Sequence, residues 1–132
     1  MADWLSEEWA AGVGALAGAL PEVPDATGSV CLTVGLGGRK EVGFHWRYDE
    51  GVAGSGAGGK LPEADLLLTL AGPDAAVVLS GQVTPSVAFM RGRLKATGDG
   101  SLLIGFLAST TAPEFDAWRR QVVALAEPPA VG

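Results

Sequence analysis

The chain has 132 residues, of which 48% are hydrophobic and 18% are charged. This composition excludes a disordered chain, and the length predicts one domain spanning residues 1–132. A formal net charge of −6 with only nine Lys and Arg residues argues against a nucleic-acid-binding protein, because contacts to the phosphate backbone need clustered cations.

The N-terminal segment is predicted to form an amphipathic helix with Asp3 as the N-cap. Its apolar residues recur at helical spacing: Leu5, Trp9, Val13, Leu16 and Leu20. Pro21 ends the pattern. Residues 29–35 and 41–48 then alternate between apolar and polar side chains, which is typical of half-buried strands, and the glycines at 35–38 predict an antiparallel turn between them.

Residues 51–59 contain five glycines and few side chains that could pack. We interpret this stretch as a mobile connection. A phosphate-binding loop is the alternative, but the stretch has no GxGxxG pattern and no Gly-Lys-Ser/Thr sequence.

The second half of the chain alternates between strands and short helices. The strand predicted at residues 65–70 is apolar at Leu66, Leu67, Leu68 and Leu70, which indicates burial on nearly both faces and hence a central position. Short helices are predicted at 75–79, after Pro73, and at 85–90, with Thr84 as the N-cap. A strand at 93–97 follows. The cationic cluster of Arg91, Arg93 and Lys95 around its start is interpreted as a solvated strand face, in preference to a contact with an anion or a membrane headgroup.

The C-terminal third is predicted to be helical. Residues 102–107 are apolar all round, which indicates burial. Thr111 and Glu114 have the spacing of a capping box, and the last helix carries an apolar stripe of Phe115, Trp118, Val122 and Leu125.

No catalytic or metal-binding constellation is recognisable. The single His45 lies on the polar side of a strand, with no orienting carboxylate or nucleophile placed beside it by sequence order. Cys31 is predicted on a strand as a small packing residue, and one His with one Cys cannot complete a zinc site. We therefore expect no enzyme activity, no metal and no cofactor.

The expected location is the cytoplasm. A single cysteine needs no oxidising compartment, the first residues lack the basic region of a secretory signal, and no stretch reaches the ~18 apolar residues of a membrane span.

Two stretches resemble the sterol carrier protein type 2 family. They are residues 64–70 and residues 81–99, where the run Ala-Phe-Met-Arg-Gly-Arg-Leu-Lys at 88–95, followed by Gly98 and Asp99, is the most specific part. The resemblance implies an α+β fold: a five-stranded, mostly antiparallel sheet with helices covering one face and an apolar tunnel between them. It also implies binding of sterols, fatty acids or acyl-CoA. The last residues, 130–132, are not a Ser-Lys-Leu type peroxisomal signal, and the richness in Ala, Gly and Arg predicts a bacterial source.

The predicted function is noncovalent binding, with transfer as a further step, of a lipid-like ligand in the tunnel. The residues expected to line the tunnel are Phe44, Trp46, Leu68, Leu70, Val78, Phe89, Met90, Leu94, Leu102, Leu103, Phe106 and Leu107. The alternative is a structural or dimerisation module with a packed core, which composition alone would favour. The expected partners are a lipid-like small molecule and, at most transiently, a membrane; a homodimer stays open.

Overall fold

A computed structural model describes residues 3–129, within which six strands form one sheet. The strands are β1 (Gly28–Gly35), β2 (Glu41–Asp49), β3 (Val52–Ala53), β4 (Ala57–Gly58), β5 (Leu66–Ala71) and β6 (Lys95–Gly98). The α-helices are α1 (Glu7–Ala15), α2 (Gly72–Leu79), α3 (Pro85–Met90), α4 (Gly100–Ser109) and α5 (Pro113–Leu125). The residues considered for a peroxisomal signal, 130–132, lie outside the described part.

The strand order is β3-β2-β1-β5-β6, with β4 also paired to β2. The first two long strands form the predicted antiparallel hairpin, in which Leu32 is opposite Phe44. The pairing of β1 with β5 is parallel, and the remaining pairs are antiparallel. The α+β prediction is confirmed, with a mixed sheet. The parallel pair arises because the chain crosses over β1 after β4, where the backbone N–H of Leu61 donates to Cys31 Sγ at 3.3 Å.

The helices pack on one face of the sheet, where alternate strand residues point inward. The buried residues of that face are Val30, Val34, Val42, Phe44, Trp46, Tyr48, Leu66, Leu68 and Leu70. The central strand β5 is buried on this face only, because Leu67 on the other face is half-buried and Thr69 is exposed. The prediction of burial on nearly both faces was therefore wrong, whereas the predicted central position is correct, since β5 lies between β1 and β6.

Helix ends follow the expected chemistry at some positions. Thr84 caps α3 as predicted, since its hydroxyl accepts from the N–H of Val87 at 3.2 Å. The N-cap of α1 is Ser6 and not Asp3, and the predicted first helix continues past Ala15 as a short 3-10 helix, Leu16–Ala19. The capping box at Thr111 is also absent, because its hydroxyl donates to the carbonyl of Ala108 at 2.9 Å and so completes the end of α4.

The glycine-rich residues 51–59 are not the predicted mobile connection. They form β3 and β4 along the edge of β2, and α1 packs directly on β4. A Cβ added at Gly58 would lie 2.8 Å from the backbone nitrogen of Ala11, and one at Gly14 would lie 2.5 Å from the carbonyl of Ala57. The glycines at these two positions let a helix and a strand approach more closely than any side chain would allow.

Candidate functional site

An apolar cavity of about 50 Å³ lies between the sheet and the helices. The sheet supplies its floor through Leu32, Val34, Phe44, Trp46 and Leu70. The cover comes from the helices and their connections through Trp9, Val13, Leu20, Ala75, Val78, Leu79, Pro85, Leu94, Phe106, Phe115 and Trp118. All these lining residues, within the part of the chain that the structure describes, are uncharged, so the site offers a bound molecule hydrophobic contact and no ion pair.

A row of aromatic rings crosses the cavity from one layer to the other. Trp9 of α1 meets Phe44 edge to face at a centroid distance of 6.2 Å, and Phe44 stacks on Trp46 at 5.7 Å. Trp46 then contacts Phe106 of α4 at 5.9 Å. Aromatic pairs in these arrangements add to the stabilisation from burial alone, so these contacts help to hold the sheet and the helices together on this side of the cavity.

Six of the residues expected at the tunnel lie at the cavity wall: Phe44, Trp46, Leu70, Val78, Leu94 and Phe106. They come from β2, β5, α2, α4 and the segment before β6, so the fold brings together positions that are far apart in sequence.

The other six residues expected at the tunnel lie elsewhere. Leu68 and Leu102 are buried away from the wall, and Leu103 and Leu107 are half-buried against the core.

Phe89 and Met90 are at the surface, with 36% and 84% of their area exposed. The inner face of α3 is formed by Pro85 and Ala88, three residues apart, which turns the next two side chains outward.

Sequence reasoning missed the contribution of the first and last helices. Trp9 and Val13 of α1, and Phe115 and Trp118 of α5, belong to apolar stripes that the sequence showed. Those stripes identify a buried face, and they carry no information on which part of the core that face meets. The stripes therefore predict that these four residues are buried, but not that they line the cavity.

Four buried polar atoms have no hydrogen-bond partner among the described residues: Trp9 Nε1, Trp46 Nε1, Trp118 Nε1 and Tyr48 Oη. Burial raises the pKa of Tyr48 to about 12, since the phenolate would be desolvated. The indole of Trp46 opposes that shift in part, although its N–H and the Tyr48 hydroxyl do not reach hydrogen-bond geometry. Three of the four residues line the cavity, and unsatisfied donors of this kind cost stability in a closed core.

His45 and Cys31 lie apart from the cavity. His45 Nδ1 is 3.0 Å from the carbonyl oxygen of Gly59, and Cys31 Sγ accepts from the Leu61 N–H. Residues 3–129 contain no group of three His, Cys, Asp or Glu side chains that could hold a metal ion. Over the same residues no helix is both long and apolar enough to cross a membrane.

Comparison with solved structures identifies the fold. The chain is similar to a conserved hypothetical protein of Thermus thermophilus, described as a potential sterol carrier protein, with a TM-score of 0.67 and 23% identity over 97% of this chain and 93% of that chain. It is also similar to a crystal structure of sterol carrier protein 2, with a TM-score of 0.65 and 19% identity over 91% of this chain and 97% of that chain.

A third similar structure is a palmitated sterol carrier protein 2-like protein of Aedes aegypti. It has a TM-score of 0.51 and 16% identity, over 64% of this chain and 72% of that chain. No protein-family model matches the sequence, and a comparison with curated protein sequences likewise found no match. The chain therefore has the sterol carrier protein 2 type of fold, which confirms the fold that the resemblance at residues 64–99 implied.

Proposed function

We propose that the protein binds a lipid-like apolar ligand, such as a sterol, a fatty acid or an acyl-CoA, noncovalently between its sheet and its helices. The observation that carries the proposal is the uncharged cavity at the centre of a sterol carrier type of fold. A protein with a fold of this type, from Aedes aegypti, is described as palmitated, which supports a fatty acid as the first ligand to test here.

Hydrophobic burial would supply the affinity. Each buried methylene contributes about 0.8 kcal/mol, so ten of them give roughly 8 kcal/mol, the free energy of a micromolar Kd before the costs of association. Among the described residues no cation lines the wall, so a carboxylate or a CoA group would stay outside the cavity in contact with water.

The ligand needs more room than the closed cavity offers. Sites for small molecules are typically about 300–1,000 Å³, against about 50 Å³ here. Binding must therefore displace part of the cover. Helix α3 is a thin part of the cover, because only Pro85 and Ala88 of its six residues are buried and only Pro85 reaches the wall. It is held to α4 through the Ser86 hydroxyl, which donates to the Leu107 carbonyl at 3.4 Å.

The same small cavity favours a second candidate function, a structural or dimerisation module with a packed core. Under this hypothesis the space is an ordinary packing defect, and the protein acts through its surface. The two functions differ in whether the purified protein carries lipid and whether added lipid stabilises it.

Native mass spectrometry of the freshly purified protein, followed by organic extraction, separates these functions. The carrier is expected to retain cellular lipid, and added palmitate should raise its melting temperature as the concentration exceeds Kd. The variant Phe106→Leu, which removes a ring from the wall, should increase the ligand-induced shift. The matched variant Leu68→Val shrinks a buried residue away from the wall and should leave the shift unchanged.

A lipid-free protein, with no ligand-induced shift in the parent or in either variant, would leave only the structural module. Sedimentation of that protein would then show whether it forms a dimer.

A further inference from the structure

The short helix α3 exposes an unusual amount of apolar surface. Large apolar residues that are exposed within the described chain number six, and three of them, Val87, Phe89 and Met90, belong to this six-residue helix. Met90 is the most exposed of all, at 84%. Core packing explains the inward side of α3, where Pro85 and Ala88 are buried, and leaves the outer side without a function.

Cations follow immediately after this apolar surface. Arg91, Arg93 and Lys95 are all exposed, and they are three of only nine Lys and Arg residues in a chain of net charge −6. Arg93 Nη1 lies 3.7 Å from Asp74 Oδ1. Within residues 3–129 no carboxylate forms an ion pair with Arg91 or Lys95.

We propose that residues 87–95, here called the docking segment, bind the surface of an anionic phospholipid bilayer. Exposed Val, Phe and Met side chains can enter the boundary between headgroups and acyl chains, while neighbouring Arg and Lys side chains pair with anionic headgroups. Within the segment Ala88 and Leu94 are buried. The large apolar residues and the cations around them are exposed, so both the apolar and the cationic side chains lie on the outside of the protein. The sequence-based interpretation of the cations as merely solvated did not include this adjoining apolar surface.

A bilayer fits the segment better than a second copy of the chain. In a symmetric dimer the same patch meets itself, so the cations of one copy would oppose those of the other. An anionic membrane complements them at every point of contact. The net charge of −6 disfavours contact of the protein as a whole with such a surface, so the cations of the docking segment favour the orientation in which they face the membrane.

Docking here would bring the bilayer to the thin part of the cavity cover. Pro85, just before the segment, and Leu94, within it, both line the cavity. Docking does not require an occupied cavity, so this inference stands or falls separately from the proposed ligand binding.

Vesicle flotation tests the proposal. We expect the protein to bind vesicles made of equal parts phosphatidylcholine and phosphatidylglycerol, and to lose most of that binding in molar salt or with pure phosphatidylcholine. At about 1 kcal/mol per surface cation, the double variant Arg91→Gln/Lys95→Gln should weaken partitioning roughly thirtyfold. Met90→Gln removes the most exposed apolar side chain and should weaken it about tenfold.

Two matched controls change the same chemistry elsewhere. Arg39→Gln/Lys40→Gln removes two exposed cations from the β1–β2 turn, and Val52→Gln replaces an exposed apolar residue on β3. Both should bind vesicles within about twofold of the parent protein, since they lie outside the docking segment. All the replaced residues are exposed, so thermal melting should show each variant folded.

Three results would overturn the proposal: no binding to anionic vesicles, equal binding to neutral ones, or equal losses in the controls and the docking-segment variants. A concentration-dependent dimer that Met90→Gln abolishes, without any vesicle binding, would assign the segment to self-association instead. Phe106→Leu changes the cavity wall and leaves the docking segment intact, so it should bind vesicles like the parent protein. If the protein binds anionic vesicles but takes up no lipid into its cavity, the docking proposal is supported and the proposed ligand binding is refuted.

Discussion

The substitution Val78→Ile tests directly whether the space between the layers is usable. Val78 lies on α2 and lines the cavity of about 50 Å³. Isoleucine adds one methylene and keeps the β-branch that valine already has in the helix, so the backbone preference barely changes. The added group either enters the cavity or collides with its neighbours.

The cavity sets the expected magnitude. At about 24 cal/mol per Å³, a void of about 50 Å³ costs roughly 1.2 kcal/mol, which is the most that filling it could recover. One methylene contributes about 0.8 kcal/mol of that. Unfolding entropy near 2.1 cal/mol/K per residue over 132 residues converts this gain into a melting temperature about 3 °C higher.

Val122→Ile is the matched control. Val122 lies on α5, is completely buried and does not line the cavity, so the same added methylene overpacks a closed region and should cost about 1–3 kcal/mol. Calorimetry and urea unfolding of both variants give the comparison. The ligand-induced melting shift with palmitate should shrink in Val78→Ile, because part of the site is filled. A loss of stability in Val78→Ile as large as in Val122→Ile would refute the reasoning.

Four further outcomes follow from particular contacts. Gly58→Ala should lower the free energy of unfolding by about 1–3 kcal/mol, and with it the midpoint of urea unfolding, because the new Cβ would lie 2.8 Å from the backbone of Ala11. An unchanged midpoint would mean that β4 and α1 are not in contact. Stability should fall as pH rises from about 10 to about 12, because buried Tyr48 keeps a proton that the unfolded chain releases; Tyr48→Phe should remove this part of the alkaline loss in pH-dependent melting. The hydrogen bond from Arg119 holds the pKa of the Asp116 carboxyl below its usual range, so the ionised carboxylate stabilises the folded protein. This stabilisation is complete above the pKa of Asp116 in the unfolded chain and is lost as pH falls through its pKa in the folded protein. Asp116→Asn should therefore make stability depend less on pH in the acid range, and an unchanged pH dependence would contradict the pairing. Backbone amides of α3 should exchange with deuterium faster than those of α5, since α3 buries fewer large side chains, and equal protection would argue against α3 as the part that opens.

The strands were the most predictable part of this fold. Alternation at 29–35 and 41–48 is a local signal, and it correctly identified the hairpin and the inward position of Phe44 and Trp46. The parallel pairing of β1 with β5 was not predictable in this way. It depends on how the chain crosses the sheet after β4, and periodicity contains no information on that path.

Glycine was misinterpreted because its two structural uses look alike in a sequence. A run of glycines predicts flexibility when nothing packs on it, whereas Gly58 and Gly14 are small so that α1 can lie against β4. The distinction lies in a tertiary contact between segments far apart in the chain, so only the fold reveals it. The capping box at Thr111 failed for a related reason: the preceding helix α4 had already engaged the hydroxyl.

Strand alternation and buried helix faces predicted the candidate site only in part. Phe44, Trp46 and Phe106 lie at the cavity wall as expected, whereas Leu68 and the leucines of α4 are buried or half-buried away from it, because burial alone does not specify which part of the core a side chain meets. The site was not predictable in α3, where the motif containing Phe89 and Met90 does not specify which side of a six-residue helix faces inward.

The positions of these side chains also indicate where the structure can open at least cost. Displacing α5 would expose Phe115, Trp118 and Val122, three large buried side chains worth about 1.5–3 kcal/mol each. Displacing α3 would expose only Pro85 and Ala88 from its own residues, while its large apolar side chains are already outside. Under the proposed function, entry of a large ligand at α3 therefore costs less than entry at α5, and an apolar environment around the outer face of α3 would lower that cost further.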